Sequence, residues 1–289
     1  MKTIKEFDYL APRAVIEAVS LLRKYEGEAR LLAGGTDLVP LMKDRVITPK
    51  YVIDMKQISS LDFIRCDEKE GLSIGTLTTI AAILDSDVIR EGYYSLYQAA
   101  KSFATTQVRN MATIGGNICS SCPSSDMIPP LLSFDAKVKL VGVDGERTVP
   151  LEDFFTGPAR NVLNNEILTE IKVPPQKRPY GTAFKKVART SEDLAKVNCA
   201  VRVVVSEGKC EDIRIALGGV APTPVKAKNV EQALKGSEIS AMAIDIAIKG
   251  VIKDIAPITD CRANVGFRAY ISQVLIKRLT NEAIKRLGG

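Results

Sequence analysis

Two glycine pairs carry the residues with most scope for chemistry. They are Gly34-Gly35-Thr36-Asp37 and, about 80 residues on, Gly115-Gly116-Asn117. Glycine tolerates positive φ and has no Cβ, so backbone N–H groups beside it can close on a phosphate. The first pair sits between an apolar run, Leu31-Leu32-Ala33, and a helical pattern set by Leu38, Leu41 and Met42. A helix start there adds unpaired N–H groups and the positive end of the helix dipole. The plainer alternative is a capped turn, in which Thr36 or Asp37 only closes the helix start. The second pair shifts the balance. Thr113, Ile114 and Asn117 flank it, and small polar residues run from Asn117 to Asp126, a pattern that no apolar core requires. Two such loops could grip a pyrophosphate from both sides and hold a dinucleotide between two lobes. Neither is GxGxxG, so this is not the Rossmann fingerprint.

Cys119 and Cys122, spaced CxxC, follow the second pair directly. This spacing suits packed or free thiols, half of a metal or cluster site completed elsewhere, or a dithiol. Two thiolates alone cannot complete a four-cysteine cluster, and packed or free thiols are the expectation. The chain has no histidine. That excludes Ser-His-Asp and HExxH chemistry and all imidazole acid–base catalysis, so a cofactor would have to carry any reaction.

The elements that must position these residues fall into two textures. Short strands are predicted at 30–34, 51–55, 63–66 and 71–75, with helices over 12–25, 36–45, 79–85 and 93–103. A hairpin is expected from 137–143 to 147–151 through Asp144-Gly145, and a further strand over 166–174. Residues 173–181 hold three prolines and a glycine and read as a linker. Beyond it an antiparallel meander is predicted, with Ile213, Ile215 and Leu217 alternating, then helices near 228–235, 239–252 and 264–287. The charged stretch 185–193 fits a solvated strand and turn. The fold class is therefore α+β, with residues 1–175 in two lobes (about 1–55 and 56–175) and a C-terminal domain over 180–289.

The 289 residues carry a net charge of +6 without a dense basic block, which argues against nucleic-acid binding. No apolar signal region opens the chain, and no run approaches the roughly 20 apolar residues of a membrane span. Six cysteines are too few for a disulfide scaffold. A cytoplasmic protein with reduced thiols is expected.

The segments LLAGGTDLVPLMK, RNMATIGGNICSSCPSSD and EILTEIKVP, with AFKKVARTSEDLAKV, together resemble the FAD-binding (medium) subunit of the molybdenum hydroxylases, the xanthine dehydrogenase and carbon monoxide dehydrogenase family. The resemblance covers nearly the whole chain. TGPARNVLNNEIL and ALGGVAPTP look most like the purine-oxidising, xanthine dehydrogenase branch. It implies a vanillyl-alcohol-oxidase (PCMH) type FAD-binding domain followed by the family's small C-terminal domain. On this likeness Leu31, Leu32, Ala33, Gly34, Gly35, Thr36, Asp37 and Leu38 wrap the FAD pyrophosphate. Thr113, Ile114, Gly115, Gly116 and Asn117 form the second loop, Asp126 bonds the polyol, Leu168 lies by the isoalloxazine, and Lys185 stands near its pyrimidine edge. Without the likeness, Lys185 is a surface lysine and Leu168 plain core.

The resemblance further implies no catalytic side chain and no metal ligand on this chain beyond the open question of Cys119 and Cys122. Molybdopterin would sit on a large partner subunit and 2Fe-2S clusters on a small one, in a heterotrimer or a dimer of heterotrimers. FAD here would take electrons from the clusters and pass them to NAD. The alternatives are a stand-alone FAD oxidase of the same fold and a scaffold that has lost its flavin.

Overall fold

A computed structural model describes residues 3–176, 179–190 and 192–287. Three principal sheets organise the chain. The first lobe holds a small parallel sheet of Asp8–Leu10, Tyr51–Asp54 and Ala29–Leu32, with Tyr51–Asp54 in the centre. The helix Val15–Lys24 covers it, and Ala18, Val19 and Ile53 form its core without exposure. A parallel arrangement needs crossover connections, and one of these crossovers carries the first glycine loop.

The second lobe is built on a five-stranded antiparallel sheet. Its order is Ile64–Asp67, Gly71–Gly75, Ile167–Val173, Lys137–Gly142 and Gly145–Pro150. Short helices lie against it, among them Tyr94–Ser102, Thr106–Met111, Ile114–Cys119 and Ile128–Ser133. Gly142 pairs with Gly145, so Val143 and Asp144 form the hairpin turn, one residue earlier than Asp144-Gly145. Gly145, at φ +123°, opens the returning strand.

The C-terminal sheet is the predicted meander: Gly181–Val187, Val197–Ser206, Lys209–Gly218 and Val225–Lys226, antiparallel throughout. One face carries Phe184, Ala200 and Ala216 into the second lobe's core. The other carries Ala183, Cys199, Val201, Ile215 and Leu217 towards the closing helices. Burial on both faces explains the nearly unbroken apolar run of Val197–Ser206. The long helix Val265–Lys285 lies on the outer face, capped by Asn264, whose Oδ1 accepts the Phe267 N–H. The helix expected over 239–252 is two pieces, Ala241–Ala247 and a 3-10 turn Ile248–Lys253. At the junction, Phe184 N–H donates to Gln98 Oε1 (2.7 Å) and Arg202 Nε to the Ser133 carbonyl (2.9 Å). Residues 177 and 178 of the proline-rich stretch, and Ser191 of the charged stretch, lie outside the described residues.

Candidate functional site

The strand Ala29–Leu32 delivers the chain into the first glycine loop. A Cβ on Gly34 would stand 1.9 Å from the Met111 carbonyl oxygen, so the loop presses directly on the backbone leading into the second. Gly35 adopts φ +75°, a left-handed turn that a Cβ penalises. The helix Leu38–Lys43 begins with no side-chain cap at Asp37, and Thr36 makes no hydrogen bond within the described residues. Both polar side chains thus remain available to a ligand, and the capped-turn alternative falls.

The second loop is pinned differently. Gly115 N–H donates to the Thr76 carbonyl and Ile114 N–H to that of Thr78, both at 3.0 Å. A Cβ on Gly115 would meet Thr76 Oγ1 at 1.7 Å. Thr113 Oγ1 accepts the Gly116 N–H at 3.1 Å and caps the short helix Ile114–Cys119. Gly116 itself faces open space, with only Thr113 Oγ1 (3.0 Å) near the position of a Cβ.

Between the loops lies a cavity of about 730 Å³. Leu31, Ala33, Gly34, Gly35, Thr36, Asp37 and Leu38 line it from one side, and Thr113, Gly115, Gly116, Asn117 and Asp126 from the other. Leu168, Cys119 and Cys122 complete the expected lining. Leu32 instead packs beside the loop, with its Cδ1 3.0 Å from where a Gly35 Cβ would sit, and Ile114 is wholly in the core. Further lining comes from Thr76 and Leu77, from Phe103, Ala104 and Val108, and from Leu194 at the mouth. The signals for these were faint: a hydroxyl-rich run after the strand Gly71–Gly75, and Ala104, whose φ of +36° is no sequence property. Asn117 Oδ1 is buried in this wall without a hydrogen-bond partner. Such an atom costs free energy unless something pairs with it.

The polar run after Asn117 is not solvated. Ser121, Ser124, Ser125 and Asp126 are all buried. The C-terminal sheet satisfies them: Asn198 Nδ2 donates to the Ser125 carbonyl (3.2 Å) and to Asp126 Oδ1 (2.9 Å). Gly219 N–H donates to the Pro123 carbonyl (2.7 Å). Asp126 Oδ2 takes an ion pair from Lys186 Nζ at 2.8 Å, with both side chains only 5–6% exposed. Burial pushes the Asp126 carboxyl up, against the opposing pull of Lys186 and Asn198.

Lys185, expected at the flavin, does not reach this cavity. It is exposed and lines a separate groove. Successive strand residues point to opposite faces, and in Gly181–Val187 the inward lysine is Lys186. That residue, unmarked in the sequence, is the one that pairs with Asp126 in the cavity wall.

Cys119 and Cys122 are unpaired. Burial pushes the Cys119 thiol up to about 12 and raises that of Cys122 as well. Among the described residues no three His, Cys, Asp or Glu side chains come together to hold a metal.

With this geometry in hand, the family can be assigned. Residues 5–176 match the model for the FAD binding domain in molybdopterin dehydrogenase, and residues 182–283 that for the CO dehydrogenase flavoprotein C-terminal domain. The chain belongs to the FAD-binding subunits of the molybdenum hydroxylases. It is 32% identical over 284 residues to the xanthine dehydrogenase FAD-binding subunit of Escherichia coli O157:H7, covering 97% of each chain. It is 35% identical over 281 residues to the carbon monoxide dehydrogenase medium chain of Hydrogenophaga pseudoflava, covering 97% of this chain and 98% of that one. A solved carbon monoxide dehydrogenase structure from Hydrogenophaga pseudoflava superposes with a TM-score of 0.95 at 36% identity, covering 98% of this chain and 99% of that one.

The cavity fits a flavin dinucleotide on its own evidence. Its volume is that of a cofactor site. Gly116 meets only Thr113 Oγ1 (3.0 Å) where a side chain would begin, and Asn117 Oδ1 has no donor among the described residues. No helix among the described residues is long and apolar enough to cross a membrane.

Proposed function

We propose that the chain is the electron-exit subunit of a three-chain molybdenum hydroxylase of the xanthine dehydrogenase type. Residues 1–175 form its FAD-binding domain, in lobes of about 1–55 and 56–175, and residues 180–289 its C-terminal domain. The large partner carries molybdopterin and oxidises a purine; the small partner carries 2Fe-2S clusters. Bound FAD supplies two-electron storage between those one-electron clusters and NAD.

The chain's own residues bind and orient. Gly34, Gly35, Thr36 and Asp37 close on the pyrophosphate from the first lobe, and Thr113 to Asn117 from the second. Asp126, held by Lys186 and Asn198, offers a carboxylate to a cofactor hydroxyl, and Leu168 provides an apolar wall. No imidazole is needed, because the chain moves no substrate proton. The observation that carries this reading is the convergence of both glycine loops on one cavity with Thr36, Asp37 and Asn117 Oδ1 uncommitted.

Native purification of the complex, with flavin, iron and molybdenum counted per copy of this chain, tests it. Stoichiometric flavin with iron and molybdenum, and NADH formed on adding xanthine, is the expected result. Flavin without partners would favour the stand-alone oxidase; partners without flavin would leave only a scaffold. A loaded complex that reduces another acceptor but not NAD would remove the NAD assignment.

A further inference from the structure

The groove that receives Lys185 lies at the junction of the helix Tyr94–Ser102 with the strand Gly181–Val187. It is a concavity of about 730 Å³, as large as the flavin cavity but more open and more polar. Tyr94 and Tyr97 form one wall, one helical turn apart, with ring centroids 5.5 Å from each other. Cations converge on those rings: the Arg286 guanidinium stands 3.6 Å from the Tyr94 centroid and Lys101 Nζ 5.9 Å from that of Tyr97. The opposite wall brings Lys185, Lys186 and Arg189.

The charges do not cancel. Lys186 is held by Asp126 and Arg189 by Asp193. The one acidic residue in the lining, Glu282, accepts from Gln98 Nε2 at 3.0 Å and lies 3.7 Å from Arg286. Lys101 and Lys185 have no ion pair among the described residues. Two uncompensated ammonium groups beside paired tyrosine rings form a site for a planar ring bearing phosphate: aromatic faces take the ring and the lysines take the anion. Concave junctions between domains are where such ligands bind.

We propose that this groove is a second nucleotide site, distinct from the flavin cavity and selective for a nucleoside diphosphate. Lys186 borders the groove, but its buried side chain turns away from Lys185 to pair with Asp126 in the flavin cavity wall, and its Nζ also donates to the Asp193 carbonyl at 3.2 Å.

ADP is the probe, titrated calorimetrically into the FAD-loaded chain, with flavin absorbance monitoring cofactor retention. The expected result is binding of one ADP without flavin release. Lys101→Glu and Lys185→Glu should each weaken it by about tenfold, since each reverses one charge at the phosphate. Tyr97→Leu should weaken it while FAD content stays full in all three variants. In the assembled complex, ADP that competes with NAD identifies the occupant as the ADP half of the acceptor. ADP that binds without competing identifies a free nucleotide effector. No ADP binding to the loaded chain, or equal binding in the wild type and the charge-reversal variants, overturns the site. The proposal does not need NAD to be the acceptor, so a failure of that assignment leaves the calorimetric result intact.

Discussion

The two glycine loops build one cavity by different means. In the first, both glycines serve the chain: Gly34 lets one loop press on the other, and Gly35 turns the backbone. In the second, only Gly115 does so, jammed against Thr76, while Gly116 opposes nothing but a hydroxyl and open space. The polar partners are divided the opposite way. Thr113 is engaged as a helix cap, whereas Thr36 and Asp37 are not. The first loop thus offers two side chains, and the second offers room and the Asn117 amide oxygen. A Gly-Gly pair is therefore two separate requirements, and only at Gly116 is the missing side chain kept for a ligand.

Substitution at each glycine breaks this comparison if it is wrong. Gly34→Ala and Gly115→Ala should be the most damaging: the new Cβ would lie 1.9 Å from the Met111 carbonyl oxygen in the first, and 1.7 Å from Thr76 Oγ1 and 2.7 Å from the Thr76 carbonyl oxygen in the second. Backbone must move, at a cost of about 3 kcal/mol. Gly35→Ala should cost about 1–2 kcal/mol for its left-handed φ. Gly116→Ala should leave the melting temperature of the flavin-free chain almost unchanged, since better helix propensity offsets one contact at 3.0 Å. Its FAD affinity should nevertheless fall by about tenfold or more. Scanning fluorimetry of the apo chain and flavin-to-protein absorbance ratios separate the two quantities. Full flavin occupancy in Gly116→Ala would sink the idea that the open side of this glycine faces the cofactor.

The adjacent lysines sharpen the same contrast between groups that serve the cavity and groups that stand away from it. Lys186→Met removes the cation from a carboxylate that is 5% exposed, leaving a buried group unpaired, and should cost about 3 kcal/mol. Loss of that cation should push the Asp126 carboxyl further up and shift the reduction potential of bound flavin. Adding Asp126→Asn should recover much of the stability, because the lone charge is gone. Lys185→Met should leave stability, flavin content and potential as they are. A shifted potential in Lys185→Met with none in Lys186→Met would reverse the assignment.

Those two lysines also mark where the sequence ceases to be informative. The glycine pairs were legible because each motif is contiguous and needs no distant partner to be recognised. The choice between Lys185 and Lys186 was not, because it depends on strand register, and a one-residue slip exchanges the faces. The polar run from Asn117 to Asp126 signalled a ligand-facing surface. Asn117, Ser120, Ser125 and Asp126 do line the cavity, but Pro123, Ser125 and Asp126 are also tied to Asn198 and Gly219, residues some 70–100 positions later that no local pattern connects. The meander was visible through Ile213, Ile215 and Leu217. That its other face is also covered became clear only from Phe184, Ala200 and Ala216 packing into the second lobe. The hairpin turn moved by one residue because Gly145 suits the start of the returning strand as well as the turn itself.

The smallest effect concerns Cys119 and Cys122, and it separates packed thiols from reactive ones. Both line the cofactor cavity, and the turn between them is fixed by Asn161 Nδ2, which donates to the Cys119 carbonyl (3.1 Å) and to Ser121 Oγ (3.0 Å). Alkylation requires thiolate. With its thiol pushed up to about 12, Cys119 holds a thiolate fraction of roughly 10⁻⁴ at pH 8. Cys66 and Cys261 are exposed. In the native chain at pH 8, iodoacetamide should therefore label Cys66 and Cys261 quickly, Cys122 slowly and Cys119 only after unfolding, as read by peptide mass mapping. Quick labelling of Cys66 and Cys261 should leave the flavin content unchanged, because neither residue lines the cavity. Rapid native labelling of Cys119 would show an ionised thiol in the cofactor wall and would turn the CxxC pair from packing into chemistry.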